Sequence, residues 1–193
     1  ESQRKLLAAF GLPDAVFSAG RSALRAVIGS KSADLLLDTN NSNAVEAACH
    51  WAQGPGQRII TLADPDYPPA LLEISDPPTL IYVRGKFELL QNPAVAIVGS
   101  RNPTPQGIQN AENFAAALAQ AGLVIASGLA LGIDAAAHRA ALSVCGGSVA
   151  FIGTGIDRIY PARNHDLAIQ LSQHGCIVSE FPLGTPAAAS NFP

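Results

Sequence analysis

The sequence contains no methionine, one tryptophan and three cysteines, and only 14% of its residues are charged. Cys49, Cys145 and Cys176 are odd in number and far apart, with no C-x-x-C pair, and the four histidines are scattered. This spacing excludes the common zinc frameworks, and no metal site is expected. The thiols read as buried groups in a reducing compartment. No apolar run approaches the roughly 20 residues that span a bilayer. The opening Glu1-Ser2-Gln3-Arg4-Lys5 is not a signal peptide. The expected location is the cytoplasm, with no membrane partner. Positive charge is not in excess either: the net charge is −3. A broad basic footprint for nucleic acid is therefore missing, and any anion site must be local and built largely from backbone N–H groups. Without a methionine, and without a closing element after Asn191-Phe192-Pro193, the chain reads as a C-terminally truncated fragment.

What is present is apolar. With 48% hydrophobic residues over 193 positions, the chain is expected to be a soluble globular protein of one domain, or one domain and a small appendage. Residues 1–57 carry apolar side chains at helical spacing, among them Leu6, Leu7, Phe10, Val16, Leu24, Val27, Leu35, Leu36, Val45 and Ala48. Breaks fall at Gly11-Leu12-Pro13, Gly20, Gly29 and Asn40-Asn41. Ser22 is expected to cap one short helix and Ser30 or Ser32 another. Gly54-Pro55-Gly56 reads as a linker. From Arg58 the texture changes. Arg58–Leu62 and Thr79–Gly85 read as strands, with a turn at Asp64–Pro69 and a short helix over Ala70–Ile74 between them. Strands Ala94–Val98, Leu123–Ala126, Ser148–Ile152 and Cys176–Glu180 then alternate with helices over 111–121, 135–142 and 165–173. Near-continuous apolar strands alternating with helices imply an α/β fold, a mostly parallel sheet with helices on both faces. The expected division is a small all-helical domain, 1–57, before a Rossmann-like domain, 58–193.

Three strands run into small or hydroxyl residues: Gly99-Ser100-Arg101, Ser127-Gly128 and Gly153-Thr154-Gly155. In a parallel sheet these loops share the carboxyl edge, where open α/β sheets bind ligands. Glycine lets backbone N–H groups approach an anion, and each following helix points its positive end at it. Ser100, Thr104, Ser127 and Thr154 offer hydroxyls, and Arg101 offers a charged fork for phosphate. Any one glycine alone would read as a tight turn; the three loops together read as a phosphate-binding rim. No Walker sequence and no full G-x-G-x-x-G exists, so no nucleotide cofactor is expected. Ile125-Ala126-Ser127-Gly128 lacks the earlier glycine of a nucleophile elbow. Asp134 and His138 share a helix face, but the simpler reading is that Asp134 caps the helix and His138 hydrogen-bonds to it. In Asp157-Arg158-Ile159-Tyr160-Pro161-Ala162-Arg163-Asn164, a base could stack on Tyr160 while an arginine meets a phosphate. The same stretch also reads as a surface loop ending at an Asn164 cap.

The order of these motifs resembles the DprA/Smf family of bacterial DNA-processing proteins. Ala96–Arg101 with Thr104 and Gly107, Ser127–His138 with Leu129 and Gly132, Gly153–Pro161 with Asn164, and Ser179-Glu180 through Asn191-Phe192-Pro193 look like its successive signatures. The resemblance covers about 58–193. Residues 1–57 resemble the sterile-alpha-motif or helix-hairpin-helix-like domain that often precedes it. The resemblance implies an extended Rossmann-like fold, binding of single-stranded DNA without sequence preference, loading of RecA in natural transformation and recombination, a homodimer, and no catalysis. It implies DNA or phosphate binding by Gly99, Ser100, Arg101, Thr104, Ser127, Gly128, Leu129, Gly132, Gly153, Thr154, Gly155, Arg158, Tyr160, Arg163 and Asn164. Asp134, His138, Asp157 and Pro161 are expected to support the motifs. The family's Arg-Asn-Arg run would follow Pro193. Two other readings compete. A phosphoribohydrolase of the lysine-decarboxylase-like class would bind nucleoside monophosphates at the same edge. It would need a triple-glycine loop at Ser127-Gly128-Leu129 and a Pro-Gly-Gly-x-Gly-Thr-x-x-Glu motif, both absent. A scaffold for protein partners would use the loops as structure alone.

Overall fold

The computed structural model describes residues 2–38, 41–144 and 146–192. The expectations for Cys145 and for a break at Asn40 lie outside the described residues.

Helices α1 (Ser2–Phe10), α2 (Pro13–Ser18), α3 (Arg21–Ile28) and α4 (Ser30–Asp38) pack around Leu6, Val16, Leu24 and Ala33. The apolar spacing supplies one stripe per helix, and burying those stripes holds such short helices together. The serines do not cap them. Gly20 is the N-cap of α3, which puts Ser22 inside the first turn, and Ser30 is already the first residue of α4. Each glycine supplies the extended or positive-φ entry, so the helix starts before the serine can act. Arg21 pairs with Asp34 at 2.6 Å and Asp38 at 2.7 Å, and Arg25 joins Asp34 at 2.9 Å, tying α3 to α4. These guanidiniums hold both carboxyls below the usual range.

Helix α5 (Ser42–Trp51) packs on the sheet instead. Its Ala48 joins the core beside Tyr82, and the Trp51 ring meets Tyr82 edge-on at 5.6 Å. Arg4 also bridges to Asp76 at 2.7 Å and to the Ser75 carbonyl at 2.9 Å. Cys49, expected to be buried, is exposed, because α5 turns Ala48 inward and its neighbour outward. Cys176 is buried, and burial pushes its thiol up to about 12.

The sheet has six strands in the order β1-β2-β6-β5-β4-β3: β1 (Gln57–Thr61), β2 (Leu80–Gly85), β3 (Ala94–Ala96), β4 (Val124–Ser127), β5 (Ser148–Phe151) and β6 (Cys176–Ser179). Strands β3 to β6 run parallel, while β2 joins β6, and β1 joins β2, antiparallel. Helices α7 (Pro105–Gln120), α8 (Ile133–Ser143) and α9 (His165–His174) follow β3, β4 and β5. On their side, Ile125 packs among Ala115, Ala137 and Ala141, while Ala150 and Ile177 pack against Leu171. Alanine at these positions lets α7 and α8 approach closely. On the other side, Val83, Val124, Val149 and Val178 pack with Leu71 of α6 (Pro69–Leu72) and with Leu89 and Leu90 of a 3₁₀ turn, Phe87–Gln91.

Strand β3 departs from expectation. The apolar run reads as a strand over Ala94–Val98, but its ladder ends at Ala96, Ala94 and Ala96 are exposed, and Val98 is 72% exposed. Among the described residues β3 is an edge strand, so its apolar run has no layer to enter. No described helix is long and apolar enough to cross a membrane.

Candidate nucleic-acid interface

Parallel β3, β4, β5 and β6 deliver their following loops to one edge, around a cleft of about 480 Å³. Val98, Gly99, Arg101, Gly128, Phe151, Gly153, Glu180 and Phe192 line it.

The first loop leaves donors open. The Ser100 carbonyl accepts from the N–H of Ile133 at 3.2 Å, which docks the loop on the start of α8. The Ser100 hydroxyl oxygen accepts from the N–H of Asn102 at 3.0 Å. None of the described hydrogen bonds uses the N–H groups of Gly99, Ser100 or Arg101, and Arg101 has no ion pair among the described residues. Gly99 is required by packing: a Cβ there would meet Ile133 Cγ1 at 2.8 Å.

The second loop is held from inside. Asp134, 6% exposed, accepts from the N–H groups of Gly128 at 3.0 Å and Ala130 at 3.3 Å. The Asn164 amide donates to the carbonyls of Leu129 at 2.8 Å and Ala130 at 3.1 Å. Leu129 is buried with φ 58°, the left-handed region that an ordinary side chain rarely adopts. The two side chains oblige that conformation. Asp134 therefore reaches back to the β4 loop rather than capping α8, whose N-cap is Gly132. His138 does not bond to Asp134. Its Nδ1 sits 2.7 Å from Ser148 Oγ on β5, because the ring turns to the sheet while Asp134 turns to the loop. Asp134→Ala removes the acceptor of two backbone N–H groups on the half-buried β4 loop. The expected cost is about 2–4 kcal/mol of stability, read as a lower urea midpoint; an unchanged midpoint refutes this role.

The third loop is bolted to the 181–192 segment. Asn191 Nδ2 donates to the Gly153 carbonyl at 3.1 Å, and Asp157 accepts from the N–H of Gly184 at 2.8 Å. A Cβ on Gly153 would meet the Phe192 ring at 2.9 Å. Thr154 Oγ1 donates to the Arg158 carbonyl at 2.8 Å.

The hydroxyls expected to meet phosphate are thus largely occupied. Thr104 caps α7 by accepting from the N–H of Gly107 at 3.1 Å, and Ser127 donates to the Ile97 carbonyl at 2.6 Å. Leu129, Thr154 and Asn164 are buried. Gly132 backs the first loop, and Gly155 is closed in by Pro182 and Gly184. Gly99, Arg101, Ser127, Gly128 and Gly153 line the cleft, and Ser100 sits between two of these. Tyr160 joins them through a shallow groove shared with Arg101 and Phe192, its ring 5.8 Å from that of Phe192. Pro161 follows through a cis peptide bond. Arg158 lines a different cleft, and Arg163 stands exposed on the 3₁₀ turn Ala162–Asn164, lining neither.

Sequence reasoning missed Phe192 and Glu180 as site residues. Nothing local pairs Phe192 with Tyr160. Glu180 was reachable, since it follows β6, the fourth parallel strand, and the carboxyl-edge rule applies to that strand too. Its carboxylate lines the same cleft as Arg101 and disfavours an anion placed beside it. Among the described residues no three His, Cys, Asp or Glu side chains gather as a metal site.

Residues 58–193 match the family model of DNA recombination-mediator protein A. The chain belongs to this family. Protein Smf of Synechocystis is 41% identical over 148 residues, covering 75% of this chain and 37% of that protein. Protein Smf of Escherichia coli is 41% identical over 151 residues, covering 78% and 40%. DNA processing protein DprA of Streptococcus pneumoniae is 41% identical over 133 residues, covering 69% and 47%. The chain thus spans well under two thirds of these family members. The X-ray structure of the Streptococcus pneumoniae protein superposes on all of this chain with a TM-score of 0.83 and 30% identity, over 66% of that chain. A structure of DNA processing protein A from Helicobacter pylori, concerned with its single-stranded DNA binding mode, covers 69% of this chain and 60% of its own, with a TM-score of 0.62 and 37% identity. The family match takes in all six strands, from the second residue of β1 onward, and every loop around the cleft.

Proposed function

We propose that the chain binds single-stranded DNA without sequence preference at the Gly99-Ser100-Arg101 loop. One observation carries this reading: the N–H groups of Gly99, Ser100 and Arg101 and the Arg101 guanidinium have no partner among the described residues, and Arg101 shares a groove with the Tyr160–Phe192 ring pair. A phosphate takes the N–H groups and the Arg101 fork, and a base stacks on the rings. That combination tolerates any sequence, because every nucleotide has a phosphate and a π-face. The Helicobacter pylori relative's single-stranded DNA binding mode supports the same ligand. We read the site as binding without catalysis: the Asp134 carboxylate is engaged with two backbone N–H groups, which leaves Glu180 as the one other carboxylate in the cleft's described lining and no described pair of acids to share a proton transfer. In the full-length cytoplasmic protein this activity serves DNA processing in transformation and recombination, with a homodimer handing the strand to RecA. We read residues 1–57 as a helical domain beside a Rossmann-like domain, 58–193, with α5 of the former packed onto the sheet of the latter.

Fluorescence titration of oligothymidylate tests the site. Arg101→Ala is expected to weaken binding on the order of tenfold or more and to lower the salt slope by about 0.7, the share of one phosphate contact. Equal affinity in the variant, or binding indifferent to salt, would falsify the assignment.

A further inference from the structure

The second cleft, about 250 Å³, lies on the helix side of the sheet between β2, β6, α9 and the 156–159 segment. Its polar lining is mainly basic: Arg84 from β2, Arg158, and His165 at the start of α9. Neither arginine has an ion pair among the described residues. Among the described residues no Asp or Glu lines the cleft. The adjacent Asp166, 3.5 Å from His165, has a side chain 97% exposed. The floor is aliphatic, with Ile156, Ile159 and Ile177.

We propose that this cleft docks an acidic protein segment that carries a large apolar side chain. Two guanidiniums that share one cleft with no carboxylate in its described lining make a basic spot in a chain of net charge −3, and their complement is a pair of carboxylates. The floor selects the kind of anion. Single-stranded nucleic acid is usually held by stacking on aromatic rings, and this cleft has none, whereas branched aliphatics bury an aliphatic or aromatic side chain well. A volume of about 250 Å³ admits one such side chain and not a folded surface. Arg158, on the same loop as Tyr160, thus faces another partner than Tyr160 does. The inference does not rest on the Arg101 site.

The probe is a fluorescein-labelled acidic peptide with a central leucine pair flanked by aspartates, followed by anisotropy with the full chain. Saturable binding is expected, weakened on the order of tenfold by Arg84→Ala and by Arg158→Ala. Ile169→Asp, at a half-open position on the cleft wall, is expected to weaken it similarly without disturbing the core. Replacing the peptide's leucines by serines should abolish saturation, and oligothymidylate affinity should be unchanged in Arg84→Ala. Three results overturn the proposal. One is no saturable peptide binding. Another is equal binding of the serine peptide, which reduces the contact to diffuse charge. The last is a matching loss of oligothymidylate affinity in Arg84→Ala, which assigns the cleft to the nucleic-acid path.

Discussion

Gly132→Ala is expected to destabilise the protein by about 2–4 kcal/mol and to disable the first loop with it. Gly132 has φ 80° and ψ −123°, a region that side-chain-bearing residues essentially never adopt. A Cβ there would also run into the Ser100 carbonyl oxygen and sit 2.7 Å from Pro103 Cδ. Neither neighbour can give way cheaply. The Ser100 carbonyl is held by the N–H of Ile133, and Pro103 leads into the α7 cap. Relief therefore moves the Ser100-Arg101 peptide, and oligothymidylate binding falls together with stability. Gly122→Ala is the control. Gly122 also has positive φ, 90°, but a Cβ there would meet nothing within 4 Å. It should cost only the backbone penalty, about 1 kcal/mol, and leave DNA affinity alone. Denaturant midpoints and oligothymidylate titrations on both variants check this. If the two variants lose equal stability, the collision with Ser100 is not what Gly132 avoids.

Stability is also expected to fall as the solution is acidified below pH about 6.5, by about 2 kcal/mol between pH 8 and pH 5 from His138 alone. The Ser148 hydroxyl donates to the Ile125 carbonyl at 3.1 Å, so its oxygen faces His138 Nδ1 as an acceptor. The ring proton is therefore on Nδ1, and Nε2 is a fully enclosed lone pair without a partner among the described residues. Protonating Nε2 would create a buried charge and an N–H with no acceptor. Burial, with the Arg139 charge adding to it, lowers the ring to about 3. The unfolded chain takes up that proton near 6.5, and the folded chain does not until about 3. Stability from this group is thus complete above 6.5 and drains away as pH falls toward 3, at about 1.4 kcal/mol per unit. Urea titrations at pH 8, 6.5 and 5 should show the slope. His138→Leu should remove it over that range, at the cost of the Ser148 contact. Identical slopes in both proteins would mean that other groups govern the acid sensitivity.

Much of the fold was legible because it is written locally. The alternation of apolar strands with helices from Ala94 to Ser179 needs only periodicity, and the carboxyl-edge rule then places Gly99, Ser127 and Gly153 together. Chain order also carried the family signatures. The sequence could not say which of these residues remain open to a ligand. Ser127, Thr104 and Thr154 look alike on paper as hydroxyls beside glycines, yet each already has a protein partner. Asp134 reads as a helix cap until the loop it serves is seen.

The sequence by itself determined the β–α rhythm, the edge where the loops gather and the family, since all three follow from local periodicity and the order of motifs. The tertiary structure decided the rest: the open N–H groups around Arg101, the Tyr160–Phe192 pair, the exposed β3 edge and the separation of Arg158 from Tyr160. The physical reason is that the groups meeting Ser127, Asn164 and the Tyr160 ring lie 30 to 35 residues away in the chain. Hydrogen-bond partners across such separations leave no periodic trace in the chain.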